Sequence, residues 1–286
     1  MQRTYCFGLF GHPVKHSLSP AMHAASFQAL GIQAEYVCFD VPQEELAAQL
    51  EACRRDGFDG LNVTIPHKEA VVPLMDRLDV SARLFGAVNT VLISDTGFTG
   101  FNTDALGFLT DLKESRNVTP EGLRVLILGC GGAGRALATA CAREGASEIG
   151  LADRIASKAE VLAEDIVARL PDAVSQIDVL SDDPEVWARY CRECDLVVHC
   201  TQAGLHAGDA SPLPSGAFHE GQVLYDLVYT SRVTPTMRAA LDAGADALNG
   251  AGMLVQQGAA AFTVWTGLKA DTAAMRSALE ARIYQI

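Results

Sequence analysis

The chain of 286 residues has no apolar run long enough to cross a bilayer, and its opening, MQRTYCFGLFGHPVKHS, lacks the apolar stretch of a secretory signal. Neither a membrane span nor export is expected, and the chain reads as cytoplasmic. Basic residues are scarce: 22 Lys and Arg stand against 35 Asp and Glu, a formal net charge of −13. Phosphate polymers and anionic lipid repel such a chain, so nucleic acid and membrane are not expected partners, whereas a small anion responds only to the local field. Paired metal-ligand spacings are also lacking. Cys6, Cys38, Cys53, Cys130, Cys141, Cys191, Cys194 and Cys200 are scattered, and Cys191-x-x-Cys194 has no second ligand pair at a zinc spacing. Reduced thiols and no metal are expected. There is no internal repeat and no low-complexity tract.

What remains is a globular composition, 49% hydrophobic and 20% charged, at a length that suits two domains. The first third alternates strand-like runs (Tyr5 to Phe10, Tyr36 to Val41, Leu61 to Ile65, Ala87 to Ile93) with helix-like ones (Pro20 to Leu30, Pro42 to Arg55, Lys68 to Asp76). Asp95-Thr96-Gly97 is a turn, and Thr103 and Asp104 open a further helix. This βαβ order predicts a mainly parallel sheet. A polar segment from Arg116 to Gly122 leads into a second βα series that begins at Leu123, and a last helix covers Met253 to Thr266.

The second series opens with the densest motif. Strand Arg124 to Leu128 runs into Gly129-Cys130-Gly131-Gly132-Ala133-Gly134 and then a helix, giving G-x-G-x-x-G at Gly129, Gly131 and Gly134. The glycines permit a tight turn, close approach of a pyrophosphate and close helix–strand packing, while the helix start offers free N–H groups to an anion. Asp153, at the end of the next strand, stands where a ribose-binding acid belongs. A nicotinamide dinucleotide is the expected ligand. Asp153 favours NAD; Arg154 and Lys158, beside it, keep NADP open.

Two features of the first third have plain structural readings. Ser19 followed by Pro20 is an ordinary helix start, with Ser19 as N-cap, and Asp104 is an acid favourably placed at a helix N-terminus. Lys68 fits less well, because a cation in the first turn of a helix opposes the dipole, and that field favours the uncharged amine useful in proton transfer.

Taken together, the runs GHPVKHSLSP, GLNVTIPHKEA, GAVNTV, GFNTDALGF, LGCGGAGRA and GMLVQQGAAAFTVWTG resemble the shikimate dehydrogenase family, in its order and over nearly the whole chain. The resemblance implies a two-domain α/β fold. Residues 1–104 with 254–286 would form a substrate domain, residues 105–253 a doubly wound Rossmann domain, with a cleft between. It implies Lys68 and Asp104 as the catalytic pair, with Ser17 and Ser19 on the substrate carboxylate and Tyr229 near it. Asn62, Thr64, Asn89 and Gln257 would hold the ring hydroxyls. For the cofactor it implies Gly129, Gly131, Gly132, Ala133, Gly134, Asp153, Arg154, Thr201, Gly204, Leu227 and Gly250. The expected reaction is hydride exchange between shikimate, or 3-dehydroshikimate, and NAD or NADP. Monomer and homodimer both fit the sequence.

Three departures qualify the match. Asp153-Arg154-Ile155 replaces the Asn-Arg-Thr of NADP-using members, which leans the expectation to NAD. Leu205 follows Gly204 where many members have methionine. Lys158 replaces a frequent arginine and loses the bidentate phosphate fork. Quinate dehydrogenase activity on the same fold is the nearest alternative, and Ser19, a threonine in some quinate-preferring members, weighs mildly against it. A non-catalytic binding protein of this fold should have lost Lys68 or Asp104. A methyltransferase built on the glycine-rich loop leaves N-V-T-I-P-H-K and N-T-D unexplained.

Overall fold

The structure is a computed structural model that describes residues 3–173, 176–206 and 208–284. Its contacts divide the chain into two units, Met1–Gly107 with Leu254–Ile286, and Phe108–Met253.

The first unit is built on six strands: β1 (Tyr5–Gly11), β2 (Ala34–Asp40), β3 (Gly60–Val63), β4 (Arg77–Leu78), β5 (Thr90–Ser94) and β6 (Gly97–Phe101). They lie in the order β2-β1-β3-β5-β6-β4. β1 runs parallel to β2 and β3, and β4 parallel to β6, but β5 is antiparallel to both of its neighbours. The sheet is therefore mixed. Asp95-Thr96 joins Ser94 to its partner Gly97 as a two-residue hairpin, which forces the next strand to run back.

Helices α1 (Ser19–Ala29), α2 (Leu46–Arg55), α3 (His67–Ala70), α4 (Val80–Phe85) and α5 (Asp104–Arg116) connect or follow these strands. The helix expected from Pro42 begins only at Leu46, after a 3-10 turn over Gln43–Glu45. The helix expected over Lys68 to Asp76 is a single α turn followed by a 3-10 turn, Val72–Leu74, because Pro73 lacks an N–H and restricts Val72. Apolar side chains of α2 (Leu46, Leu50, Cys53) bury against Phe10, Leu61, Val63 and Val91 of the sheet.

The second unit carries β7 (Arg124–Leu128), β8 (Glu148–Ala152), β9 (Gln176–Val179), β10 (Leu196–His199), β11 (Val223–Asp226) and β12 (Asp246–Asn249). All its pairings are parallel, in the order β12-β11-β10-β7-β8-β9. Helices α6 (Gly132–Arg143), α7 (Ala156–Arg169), α8 (Pro184–Cys191) and α9 (Pro235–Asp242) provide crossovers. Counted within the unit, this is strand order 3-2-1-4-5-6, with the direction of winding reversing between β7 and β10. The near-continuous apolar runs of these strands follow from burial on both faces: Val125, Leu126, Ile127, Leu196, Val197 and Val198 are all fully buried.

Helices α10 (Ala251–Thr266) and α11 (Thr272–Ile283) complete the first unit from the far end of the chain. The Trp265 indole stacks on Phe7 with ring centroids 4.7 Å apart, and its N–H donates to the Val91 carbonyl at 2.9 Å. Gly60 makes room for it, since a Cβ there would lie 2.3 Å from the indole ring.

Candidate active site

In the first unit, β3 delivers Asn62 and the loop after it delivers Thr64, while Lys68 sits on the single turn α3. Asp104 is the first residue of α5, its N–H capped by the Asn102 side chain at 3.1 Å. The Lys68 ammonium donates to Asp104 Oδ2 at 2.6 Å. The lysine side chain is 30% exposed and the aspartate 13%, so the pair is screened from bulk water without being sealed. A four-residue helix has too few aligned peptides for the dipole argument made for Lys68; the carboxylate is what holds it.

Asn89 ties this pair to the sheet. Its Nδ2 donates to Asp104 Oδ1 and Thr103 Oγ1, both at 2.9 Å, and to Gln257 Oε1 at 3.4 Å. Its Oδ1 accepts from the Thr103 N–H at 2.8 Å. Asn62 Nδ2 donates to the Asn89 carbonyl and to Thr90 Oγ1, and Asn62 Oδ1 accepts from the Tyr36 hydroxyl at 2.7 Å. The Tyr36 hydroxyl is also in hydrogen-bonding contact with Ser19, and burial holds the phenol well above its ordinary pKa. Tyr36 is a scaffold residue of this site that the sequence did not single out, and Asn102 and Thr103, known from the sequence only as part of the N-T-D run, are scaffold residues too. A tyrosine on a strand reads as an ordinary β-former.

Ser19 is not an N-cap. The cap position is Leu18, with no side-chain cap bond, and Ser19 is buried as the first helical residue. Its N–H instead donates to Ser17 Oγ at 3.3 Å, which brings the two serines together at the start of α1. Thus Ser17, Ser19, Asn62, Thr64, Lys68, Asn89, Asp104 and Gln257 all fall in the first unit. Tyr229 falls in the second, just beyond β11, where burial raises its pKa.

The second unit has a cavity of about 730 Å³ at the strand-order reversal. Gly129 and Gly131 line it after β7, Asp153, Arg154, Ile155 and Lys158 after β8, and Thr201, Gln202 and Ala203 after β10. Gly134 is needed sterically, since a Cβ on it would stand 1.8 Å from the Gly129 carbonyl oxygen, whereas Gly131, which lines the cavity, leaves open space where its Cβ would be. Gly250 packs on Leu227, whose carbonyl oxygen would be 2.3 Å from an added Cβ. These features fit a dinucleotide, which needs a backbone surface it can approach closely and an anion-accepting helix start.

Asp153 is more engaged than its sequence position suggests. Oδ2 accepts from the Cys130 N–H at 2.8 Å and Oδ1 from the Ile155 N–H at 2.9 Å. A carboxylate has about four acceptor sites, so capacity for a ribose hydroxyl remains. Arg154 and Lys158 are exposed and form no ion pair among the described residues. Burial first, and Asp153 second, push the Cys130 thiol up to about 12, so it offers no thiolate to the cavity. Cys191 and Cys194 are buried free thiols, and the Gln222 amide donates to both of their carbonyls. Among the described residues no group of three or more His, Cys, Asp or Glu could hold a metal, and no helix is long and apolar enough to cross a membrane.

The doubly wound unit and its glycine turn belong to a nicotinamide-dinucleotide oxidoreductase acting on CH–OH groups, and the chain is an enzyme of that class. Residues 9–91 match the shikimate dehydrogenase substrate binding domain, residues 250–280 the shikimate 5'-dehydrogenase C-terminal domain, and residues 125–211 the saccharopine dehydrogenase NADP binding domain. The chain is 45% identical over 278 residues to a shikimate dehydrogenase (NADP(+)) of Methanopyrus kandleri, covering 96% of this chain and 95% of that one. Among solved structures, the Thermus thermophilus shikimate 5-dehydrogenase in complex with NADP(H) and shikimate matches with a TM-score of 0.86 at 38% identity, over 96% and 98% of the two chains. The Corynebacterium glutamicum quinate dehydrogenase in complex with NAD matches with a TM-score of 0.88 at 32% identity, over 97% and 99%. The chain belongs to the shikimate dehydrogenase family.

Proposed function

We propose that the protein interconverts shikimate and 3-dehydroshikimate with a nicotinamide dinucleotide, and that the 2.6 Å contact between Lys68 and Asp104 is its proton-handling centre. The nicotinamide, when bound, supplies or accepts the hydride. In reduction the Lys68 ammonium returns a proton to the developing oxyanion and its positive charge stabilises that oxyanion; in oxidation Lys68 takes the hydroxyl proton as the neutral amine, after giving its own proton to solvent. Asp104 fixes the ammonium and, through Oδ1, is itself fixed by Asn89. Ser17 and Ser19 receive the substrate carboxylate, while Asn62, Thr64, Asn89 and Gln257 set the ring hydroxyls. Asn62 and Asn89 already spend most of their donors on Thr90, Thr103 and Asp104, which holds them rigid for that task.

For the cofactor, Gly129, Gly131, Gly132, Ala133 and Gly134 form the pyrophosphate turn. Thr201, Gly204, Leu227 and Gly250 supply the remaining wall. Arg154 and Lys158 attract a 2′-phosphate, and Asp153, still able to accept a ribose hydroxyl, opposes it. Both NAD and NADP are used, the ratio being set by these three side chains. The thiols and the net charge support a cytoplasmic enzyme with small-molecule partners and no affinity for nucleic acid.

Initial rates of purified protein with shikimate and with quinate, each with NAD and NADP, test this reading. Turnover of shikimate well above quinate is expected. Faster quinate turnover transfers the assignment to quinate oxidation, and no turnover of either acid with either cofactor removes it.

A further inference from the structure

Strands β10 and β11 end side by side, with His199 opposite Asp226. Both side chains are fully buried, and His199 Nδ1 lies 2.9 Å from Asp226 Oδ1. Asp226 also accepts from the Val228 N–H at 3.0 Å and from the Thr234 hydroxyl, and Thr234 in turn caps α9 by accepting from the Met237 N–H. The carboxylate is thus surrounded by donors and can only accept, so Nδ1 carries a hydrogen, and in the neutral imidazole Nε2 is the acceptor. The group facing Nε2, at 2.5 Å, is the Thr201 hydroxyl, which therefore donates to it.

Thr201 is fixed on its other sides as well. Its Oγ1 accepts from the Ala203 N–H at 3.1 Å. A Cβ on Gly129 would stand 2.9 Å from the Thr201 methyl, so the threonine packs against the first glycine of the phosphate turn. Thr201, Gln202 and Ala203 form one wall of the cavity and Gly129 another. Strand pairing does not need these polar groups, which are costly to desolvate at the end of a parallel sheet. What they supply, and an apolar pair could not, is a directed hydrogen bond into the loop from beneath.

We propose that His199 is a positioning residue for dinucleotide binding. Asp226 sets its tautomer, the imidazole holds Thr201, and Thr201 holds the 201–204 wall against the glycine turn. His199 touches no cofactor atom in this scheme; it acts through Thr201. The proposal rests on the cavity being the dinucleotide site.

The test is NADPH binding to the full-length protein without a second substrate, read by nucleotide fluorescence, alongside separate KM values for NADP and shikimate. Thr201→Val keeps the shape and removes the hydroxyl. It should weaken NADPH binding about tenfold and raise the NADP KM in step, since a buried acceptor loses its partner. Thr201→Ser should restore affinity to within about twofold, the hydroxyl being retained. His199→Leu should match Thr201→Val, and the double variant should be no weaker than either single, because both remove one interaction. The shikimate KM should not follow these changes. Unchanged NADPH affinity in Thr201→Val, or losses that simply add in the double variant, overturns the proposal. If His199→Leu does not fold, the Thr201→Val and Thr201→Ser pair decides alone. A wild-type chain that binds neither NADPH nor NADH overturns the cavity assignment together with the proposal, whereas wild-type binding with indifferent variants overturns the proposal only.

Discussion

Lys68 and Asp104 are separated by 36 residues yet share a 2.6 Å contact, and the rest of the polar surroundings serves to keep that contact in place. Lys68→Ala should lower kcat by about a hundredfold to ten-thousandfold, the usual worth of a positioned proton-transfer group, while the shikimate KM changes much less. Near-normal kcat in steady-state assays removes the lysine from the mechanism. Arg154→Ala should lower kcat/KM for NADP by more than for NAD, and Asp153→Asn should shift the ratio the opposite way; a ratio unmoved in both sinks the 2′-phosphate assignment. His23 gives a test of stability. It is fully buried, stacked 4.7 Å from Tyr36, and desolvation pushes its pKa down to about 3. The unfolded chain takes up that proton near 6.5, so between about 6.5 and 3 the unfolded state binds more protons. The contribution is complete above about 6.5 and drains away as pH falls toward 3. Between pH 6.5 and pH 5, urea unfolding of His23→Phe should show a loss of stability smaller by about 1.6 kcal/mol than that of the wild type. At this scale the N-x-T-x-P-x-K and N-T-D runs drew attention to Lys68 and Asp104 through their resemblance to the family, since an acid is ordinary at a helix start and the single turn α3 is too short for a dipole effect. Tyr36 and His199 were not legible, since each matters through partners that only the tertiary fold brings near.

Among the elements, the turn from β7 into α6 is the least forgiving. Gly134→Ala would drive a methyl into the Gly129 carbonyl, at 1.8 Å, and no flexible side chain can yield there. Calorimetric titration should show NADP binding lost or weakened by at least about a hundredfold, with the first unit still folded by circular dichroism. Retained binding would mean that helix and turn can separate without cost to the cofactor. This βα turn was readable because strand, glycine spacing and helix follow one another within a few residues. The β5–β6 hairpin was half readable. Asp95-Thr96-Gly97 marked the turn, but Gly97–Phe101, with two glycines in five residues, has little strand pattern. Those glycines have local causes: a Cβ on Gly97 would strike the Asp76 carboxylate, at 2.1 Å, and one on Gly100 would strike Val88, at 2.6 Å. Missing that strand hid the antiparallel pairings of β5 within a sheet whose remaining pairings are parallel.

Over the whole molecule, the first unit is assembled from both ends of the chain. Trp265 lies 174 residues from the Val91 carbonyl it binds. Trp265→Ala should cost about 3–5 kcal/mol by removing a buried indole, lowering the melting temperature. Its effect on NADP affinity, measured well below melting, should be small, because Trp265 belongs to the other unit. A melting temperature unchanged from the wild type would mean that α10 is not what closes this sheet. The discontinuity was legible only through family motifs at both ends; hydrophobic periodicity shows that a helix is amphipathic or buried, but not which sheet it covers.

The same closure imposes an order of events during synthesis. Gln257, which meets Asn89, and Trp265, which covers β1 and β3, leave the ribosome after every residue of the second unit. The nucleotide-binding half is continuous in the chain and can mature while translation proceeds, as nascent domains commonly do. The half that begins first must wait, with its aromatic floor uncovered, until the last helices arrive. A stalled or truncated nascent chain would therefore hold cofactor while unable to turn over substrate.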